Sequence, residues 1–149
     1  MLIYKKGDLL QAIEDIICHQ VNEMGVMGGG LAKQIADTYP EVEEEYMNYS
    51  QGRSPSELLG LSLICDTHSN NQQLIANCYT QDDMNTRLDL IEKVFDQLLR
   101  YCKEGSFTIA IPYGYGCGIA NGDWSEVSAL FYELSQKHQV DIAVYNRER

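Results

Sequence analysis

Along the chain, short runs of β-branched and aromatic residues bounded by turn formers alternate with longer stretches whose apolar positions recur every three or four residues. The short runs fall at residues 2–6, 15–21, 58–66, 73–80, 107–113 and 140–146, and each predicts a strand. Between them, Leu31, Ile35 and Tyr39 recur every fourth residue, and Leu88, Ile91, Phe95, Leu98 and Cys102 alternate spacings of three and four. Trp124, Val127, Leu130, Phe131 and Leu134 form a third stripe. Each stripe is one helix face wide and predicts an amphipathic helix lying on a core. Asn85 or Thr86 supplies a cap ahead of the second helix, Asp123 with Glu126 a cap for the third, and Gly105 after Lys103 a stop for the second. The acidic segment 41–45 also reads as helical. Strands interleaved with helices of this length specify an α/β domain, with helices on both faces of a largely parallel or mixed sheet.

Composition narrows the picture. A chain of 149 residues fits one domain, 1–149, and folding at that size buries roughly 70% of the surface the unfolded chain exposes. The longest uncharged apolar runs are strand-sized, so no membrane span is expected. The start, "MLIYKKGDLL", carries two lysines but no apolar core or small-residue cleavage site, and a cytoplasmic location is expected. Cys18, Cys65, Cys78, Cys102 and Cys117 are odd in number and widely spaced, which predicts free thiols over disulfides or a zinc site. His and carboxylates show no ligand spacing, so neither a metal nor a cofactor is called for. The net charge of -11 repels a nucleic-acid backbone, which needs clustered Lys and Arg, yet leaves room for a small anion held locally.

Two loops predicted to lead from strand to helix are rich in glycine: residues 25–30 and "YGYGCGIANGD", residues 113–123. At the carboxyl ends of strands in an α/β sheet, such loops are where ligands gather. Glycine lets a ligand approach consecutive amides, and amides at a helix N-terminus have no partner within the helix. With the helix dipole, that favours phosphate without any lysine, as the first loop requires, since it has no basic residue before Lys33. A Walker P-loop is excluded because no Gly-Lys-Ser/Thr occurs, and a dinucleotide fingerprint is disfavoured because Asn121 stands where its third glycine belongs.

The succession "KGDLL", "HQVNEMGVMGGGLAKQI", "IPYGYGCGIANGDW" and "DIAVYN" resembles the macro domain family of ADP-ribose-binding modules, over nearly the whole chain. It is most similar to the branch with "GVMGGG", which includes terminal ADP-ribose glycohydrolases and a fungal ADP-ribose-1″-phosphate phosphatase. The resemblance implies a three-layer α/β/α macro domain with a mixed central sheet. It also implies a ligand, ADP-ribose or an ADP-ribosylated small molecule or macromolecule. By resemblance Asp8 accepts the adenine amino group beside the Leu9 amide, and Asn22 binds the distal ribose. Gly28, Gly29, Gly30 and Leu31 wrap the pyrophosphate from one side, and Gly116, Cys117, Gly118 and Ile119 from the other. Tyr145 is placed to stack on adenine. The family's glycohydrolase lysine has no counterpart in "CYTQDD", and Ala120 stands where its aspartate belongs. His19 matches the phosphatase histidine three residues before the Asn, and its ordinary pKa near 6.5 suits acid–base work.

The residues themselves leave alternatives open. Asp8 and Asp123 fit caps, Asn22 fits a turn, and Tyr145 is one of ten tyrosines. Strict alternation puts His19 and Asn22 on opposite faces of a strand unless it twists at its end. His68 and His138 are expected to be structural. The expected function is binding of ADP-ribose or a derivative with hydrolysis at the distal ribose C1″, assisted by His19, Asn22 or Asp123. The alternative is a reader that binds without turnover; action on nucleic-acid ends is disfavoured by the charge.

Overall fold

The computed structural model describes residues 1–118 and 120–147. Among them one sheet is built from β1 (Leu2–Lys6), β2 (Ile16–Asn22), β3 (Ser62–Asp66), β4 (Leu74–Asp82), β5 (Asn85–Thr86), β6 (Ile109–Pro112) and β7 (Ile142–Asn146). The helices are α1 (Gly30–Thr38), α2 (Pro40–Ser50), the single turn α3 (Pro55–Leu58), α4 (Leu88–Gly105) and α5 (Trp124–His138). The strand order is β1-β7-β6-β2-β4-β3, with β5 paired to the end of β4. Neighbours from β1 to β4 run parallel, while β3 and β5 run antiparallel to β4, so the sheet is mixed as expected.

Both faces of the sheet are covered, which is why its central strands read as continuous apolar runs. Ile16 and Cys18 of β2 pack with Ile91, Phe95 and Leu98 of α4 and Phe131 of α5. Ile17 packs with Ile35 of α1 and Val42 of α2, and Val21 with Tyr46 and Leu58 on that same side. Four of the five cysteines are buried, and all five are free thiols. Among the described residues no helix is long and apolar enough to cross a membrane.

Three local expectations are corrected. The run 58–66 is not all strand, because Pro55 and a Ser54–Glu57 capping box start a helical turn that ends at Leu58, and the strand begins at Ser62. Asn85 and Thr86 do not cap α4: they pair with β4, and Arg87 occupies the cap position without a side-chain bond. Gly105 is the last helical residue, while Ser106 takes the left-handed conformation (φ 57°) that ends α4. Glycine is required at 105 by packing, since a Cβ there would lie 2.4 Å from the Phe107 ring.

The topology opens one end of the sheet. From β2 the chain passes to α1 on one face; from its neighbour β6 it passes to α5 on the other. These strands pair only through Ile16–Ile109 and Ile17–Ala110, near their amino ends. Their carboxyl ends therefore diverge at a switch point, where open α/β sheets leave a crevice.

Candidate functional site

That crevice is a cleft of about 510 Å³, within the range of small-molecule sites. One wall carries Asn22, Met24, Val26, Gly28, Gly29 and Gly30, and the opposite wall Tyr113, Gly114, Gly116 and Gly118. His19 and Gln20 of β2 also line it, with Gln81 and Met84 at the β4–β5 end. Among the described lining residues there is no Asp, Glu, Lys, Arg or Cys. An anion in this cleft is therefore met by amides and a helix dipole rather than by a side-chain cation.

The first wall ends in the N-terminus of α1. Gly29 caps the helix in extended conformation with no side-chain bond, and Gly30 enters it at φ 57°. The amides of Gly30, Leu31 and Ala32 open the first turn and have no carbonyl within α1 to pair with. A Cβ at Gly30 would meet nothing within 4 Å, so backbone conformation and open access, not packing, call for glycine there.

The opposite wall is held from below by a chain of hydrogen bonds in which each hydroxyl hydrogen is used once. Thr80 Oγ1 donates to Gln20 Oε1 (2.7 Å), so the Tyr115 hydroxyl must donate to Thr80 Oγ1 (2.8 Å). Gln20 Nε2 donates to Thr86 Oγ1 (2.9 Å), and Thr86 Oγ1 to the Gly116 carbonyl (2.5 Å). Gly122 N–H closes the loop onto the same carbonyl at 2.9 Å. Gly116 sits at φ 71°, with space for a Cβ taken by Thr86 and Gln20.

Asn22 and His19 come to the cleft together. The β2–β4 register shifts between Val21 and Asn22, where β4 carries an extra residue, and Asn22 bonds Tyr46 of α2, on the face His19 shares with Val21. That irregularity removes the conflict posed by strict alternation. Asn22 also shapes its own loop: Oδ1 accepts from Met24 N–H (2.9 Å) and from the Tyr46 hydroxyl (2.9 Å), and Nδ2 donates to the Val26 carbonyl (3.0 Å). His19 is 1% exposed, and its Nε2 lies 2.7 Å from Asn77 Oδ1. Because Asn77 Nδ2 donates to the Leu63 carbonyl, Oδ1 is the atom turned to His19, and Nε2 carries the proton. Nδ1 is left buried with no hydrogen-bond partner.

Burial pushes the His19 imidazole down to about 4, with the Asn77 bond opposing. It is neutral at pH 7. The unfolded chain takes up a proton below about 6.5 while the folded chain does not, so stability is lost as pH falls from about 6.5 to about 4, by on the order of 3 kcal/mol. His19→Gln is expected to flatten this part of the pH dependence, measured as urea midpoints at about pH 7 and about pH 5. An unchanged slope would place the lost stability on other groups.

Other expected site residues are not among the described residues that line this cleft. Asp123 caps α5, accepting from Ser125 N–H at 3.0 Å and from its hydroxyl at 2.8 Å, and lines a separate hollow with Arg87 and Asp89. Cys117 N–H is spent on the Gly114 carbonyl at 2.8 Å, and its thiol packs toward the α4–α5 core. Asp8 accepts from Leu10 N–H at 3.0 Å at a short 3-10 turn, Leu9–Gln11, and Leu9 is buried there. Tyr145 donates its hydroxyl to the nearly buried Glu14 at 2.6 Å. None of these five is among the lining residues, and Ile119 lies outside the described residues. His138 pairs with Asp96 at 2.8 Å, a structural tie between α5 and α4. Conversely, Gln20, Gln81 and Met84 line the cleft without a local signal: Gln20 finds Thr86 across 66 residues.

The macro domain model matches residues 18–131 of the chain. The chain is 30% identical over 154 residues to an ADP-ribose 1″-phosphate phosphatase of Candida albicans, covering 93% of this chain and 96% of that protein. It is 29% identical over 153 residues to a DNA ADP-ribosyl glycohydrolase of Mycobacterium tuberculosis, covering 97% of this chain but only 42% of that longer protein. Among solved structures, the macrodomain of Mycobacterium tuberculosis DarG superposes with a TM-score of 0.84 at 28% identity, over 97% of both chains. Thermosipho africanus DarTG in complex with ADP-ribose shares the fold, with a TM-score of 0.84 at 22% identity over 99% of this chain and 42% of that one. With its sequence match spanning both glycine loops, and a switch-point cleft between them, this chain belongs to the macro domain family.

Proposed function

We propose that the cleft binds ADP-ribose or a derivative of it and that the protein hydrolyses a bond at the distal ribose C1″. The observation that carries this reading is the pair of glycine loops facing each other across a cleft whose described lining residues carry no charge, one of the loops opening helix α1. A pyrophosphate between them is held by the amides of residues 28–32 and of Gly116 and Gly118, and the distal ribose lies toward Asn22. The relatives named as hydrolases of ADP-ribosyl compounds support the same chemistry.

Water attacks the substrate as the bond between C1″ and the departing phosphate or acceptor breaks, and the bonding pair leaves with the departing group. The water's proton passes to the substrate's own phosphate. His19 is neutral, and its unpaired Nδ1 is buried in the ligand-free cleft, so it takes a hydrogen bond from this water only where substrate binding opens that atom to it. Asp123, committed to its cap and to a different hollow, is not assigned a part.

The test is titration with ADP-ribose, followed by assays for phosphate released from ADP-ribose-1″-phosphate and for ADP-ribose released from an ADP-ribosylated acceptor. Binding with release from either substrate supports a hydrolase; binding without release supports the alternative, a reader, which the lack of a carboxylate or lysine among the described lining residues favours. In a hydrolase whose water is oriented by His19, His19→Ala lowers the rate by about tenfold, the scale of one hydrogen bond, while affinity changes little. Equal rates in the variant and the parent would remove His19 from the mechanism.

A further inference from the structure

We propose that Tyr46 is a positioning residue for the cleft: its buried hydroxyl locks the Asn22 amide so that Asn22 meets the ligand's distal ribose as a hydrogen-bond donor only. This rests on the reading of the cleft as an ADP-ribose site.

Tyr46 lies on α2, 24 residues from Asn22 in sequence, and is fully buried. Its hydroxyl is 2.6 Å from the Asn22 carbonyl oxygen and 2.9 Å from Asn22 Oδ1, so one hydrogen is shared between the main chain and side chain of a single residue. That arrangement fixes the side-chain torsion of Asn22 relative to the end of β2. Oδ1 also takes Met24 N–H at 2.9 Å, which fills its two lone-pair directions. Nδ2 spends one hydrogen on the Val26 carbonyl and retains the other. An amide so committed can give a ligand one hydrogen and accept none.

The main chain and ring that carry the hydroxyl are themselves held in place. Ser50 Oγ donates to the Tyr46 carbonyl at 2.7 Å, so the Tyr79 hydroxyl must donate to Ser50 Oγ at 2.7 Å. The Tyr46 and Tyr79 rings pack with centroids 5.8 Å apart. Burial holds the Tyr46 phenol well above its ordinary range, which keeps it protonated and donating. Through this chain α2, which contributes no lining residue, sets the geometry of the cleft wall.

The experiment compares ADP-ribose with ADP, which lacks the distal ribose, by calorimetry. Tyr46→Phe is expected to weaken ADP-ribose binding about tenfold, the scale of one hydrogen bond, and to leave ADP within about twofold. In an Asn22→Ala background Tyr46→Phe is expected to add no further loss, since its effect passes through Asn22. Equal losses for ADP-ribose and ADP, or additive losses in the double variant, overturn the assignment. A measurement on the unaltered protein stands independently of how the variant folds. ADP-ribose, and not ADP, should shift the Asn22 side-chain amide signals in a nitrogen–proton NMR spectrum, and an unmoved amide overturns the assignment. If the unaltered protein binds ADP and not ADP-ribose, or neither, the functional reading fails as well, an outcome distinct from a failure confined to Tyr46.

Discussion

Gly118→Val is expected to fold normally and to lose ADP-ribose binding by about 100-fold or more, a loss of roughly 2.7 kcal/mol. A Cβ on Gly118 would meet nothing within 4 Å, and the residue lines the cleft, so the added isopropyl group fills space that only a ligand would use. Without a clash or a left-handed backbone to strain, the stability change should stay within about 0.5 kcal/mol. Calorimetry with ADP-ribose and a urea transition measure the two quantities on one preparation. A variant that binds as the parent does would mean the pyrophosphate does not pass Gly118.

Gly122→Ala is expected to do the reverse: its damage begins in the fold. A Cβ there would sit 2.4 Å from the Gly116 carbonyl oxygen, a main-chain atom already accepting from Gly122 N–H and Thr86 Oγ1. The methyl group cannot be accommodated by a side-chain rotation; it must part the loop from itself and break that pair of bonds. Overpacking of this kind costs about 1–3 kcal/mol, and loss of a hydrogen bond adds about 1 kcal/mol. The urea midpoint should fall and ADP-ribose affinity with it. An unchanged midpoint would show that the closure onto Gly116 is dispensable. Two glycines four residues apart thus serve different ends, one for the ligand's space and one for the loop's own packing.

The fold was largely legible because both signals that specify it are local. Apolar runs and 3,4-spaced stripes mark elements whose faces are buried against each other, and Ile91, Phe95 and Leu98 lie on the core as the stripe requires. The misread boundaries are places where tertiary contacts outweighed a local preference. Asn85 and Thr86 make good cap residues, yet β4 offered them strand pairing. Gly105 looks like a helix stop, yet the αL position fell to Ser106 because the Phe107 ring needs the space over Gly105.

The glycine loops were legible for the same reason, since positive φ and missing side chains are local demands. The capping aspartate at 123 was equally visible, and its cap explains it. What the sequence could not show is partnership at a distance. Tyr46 reaches Asn22 across 24 residues and Gln20 reaches Thr86 across 66, and no spacing rule connects them. Tyr145, near the end of the last strand, carried an expectation of stacking from the family resemblance. Its hydroxyl bonds Glu14, whose carboxylate also takes the Lys5 ammonium at 2.7 Å, a pairing across 131 residues that no local pattern announces.

The most direct test of the central claim is a nitrogen–proton NMR titration of the protein with ADP-ribose. The pyrophosphate reading predicts the largest shifts at the amides of residues 28–32 and of Gly114, Gly116 and Gly118, with the hollow beside Arg87 and Asp123 unmoved. Saturating shifts at Arg87, Asp89 and Asp123 with the glycine loops silent, or no shifts at all, would contradict it.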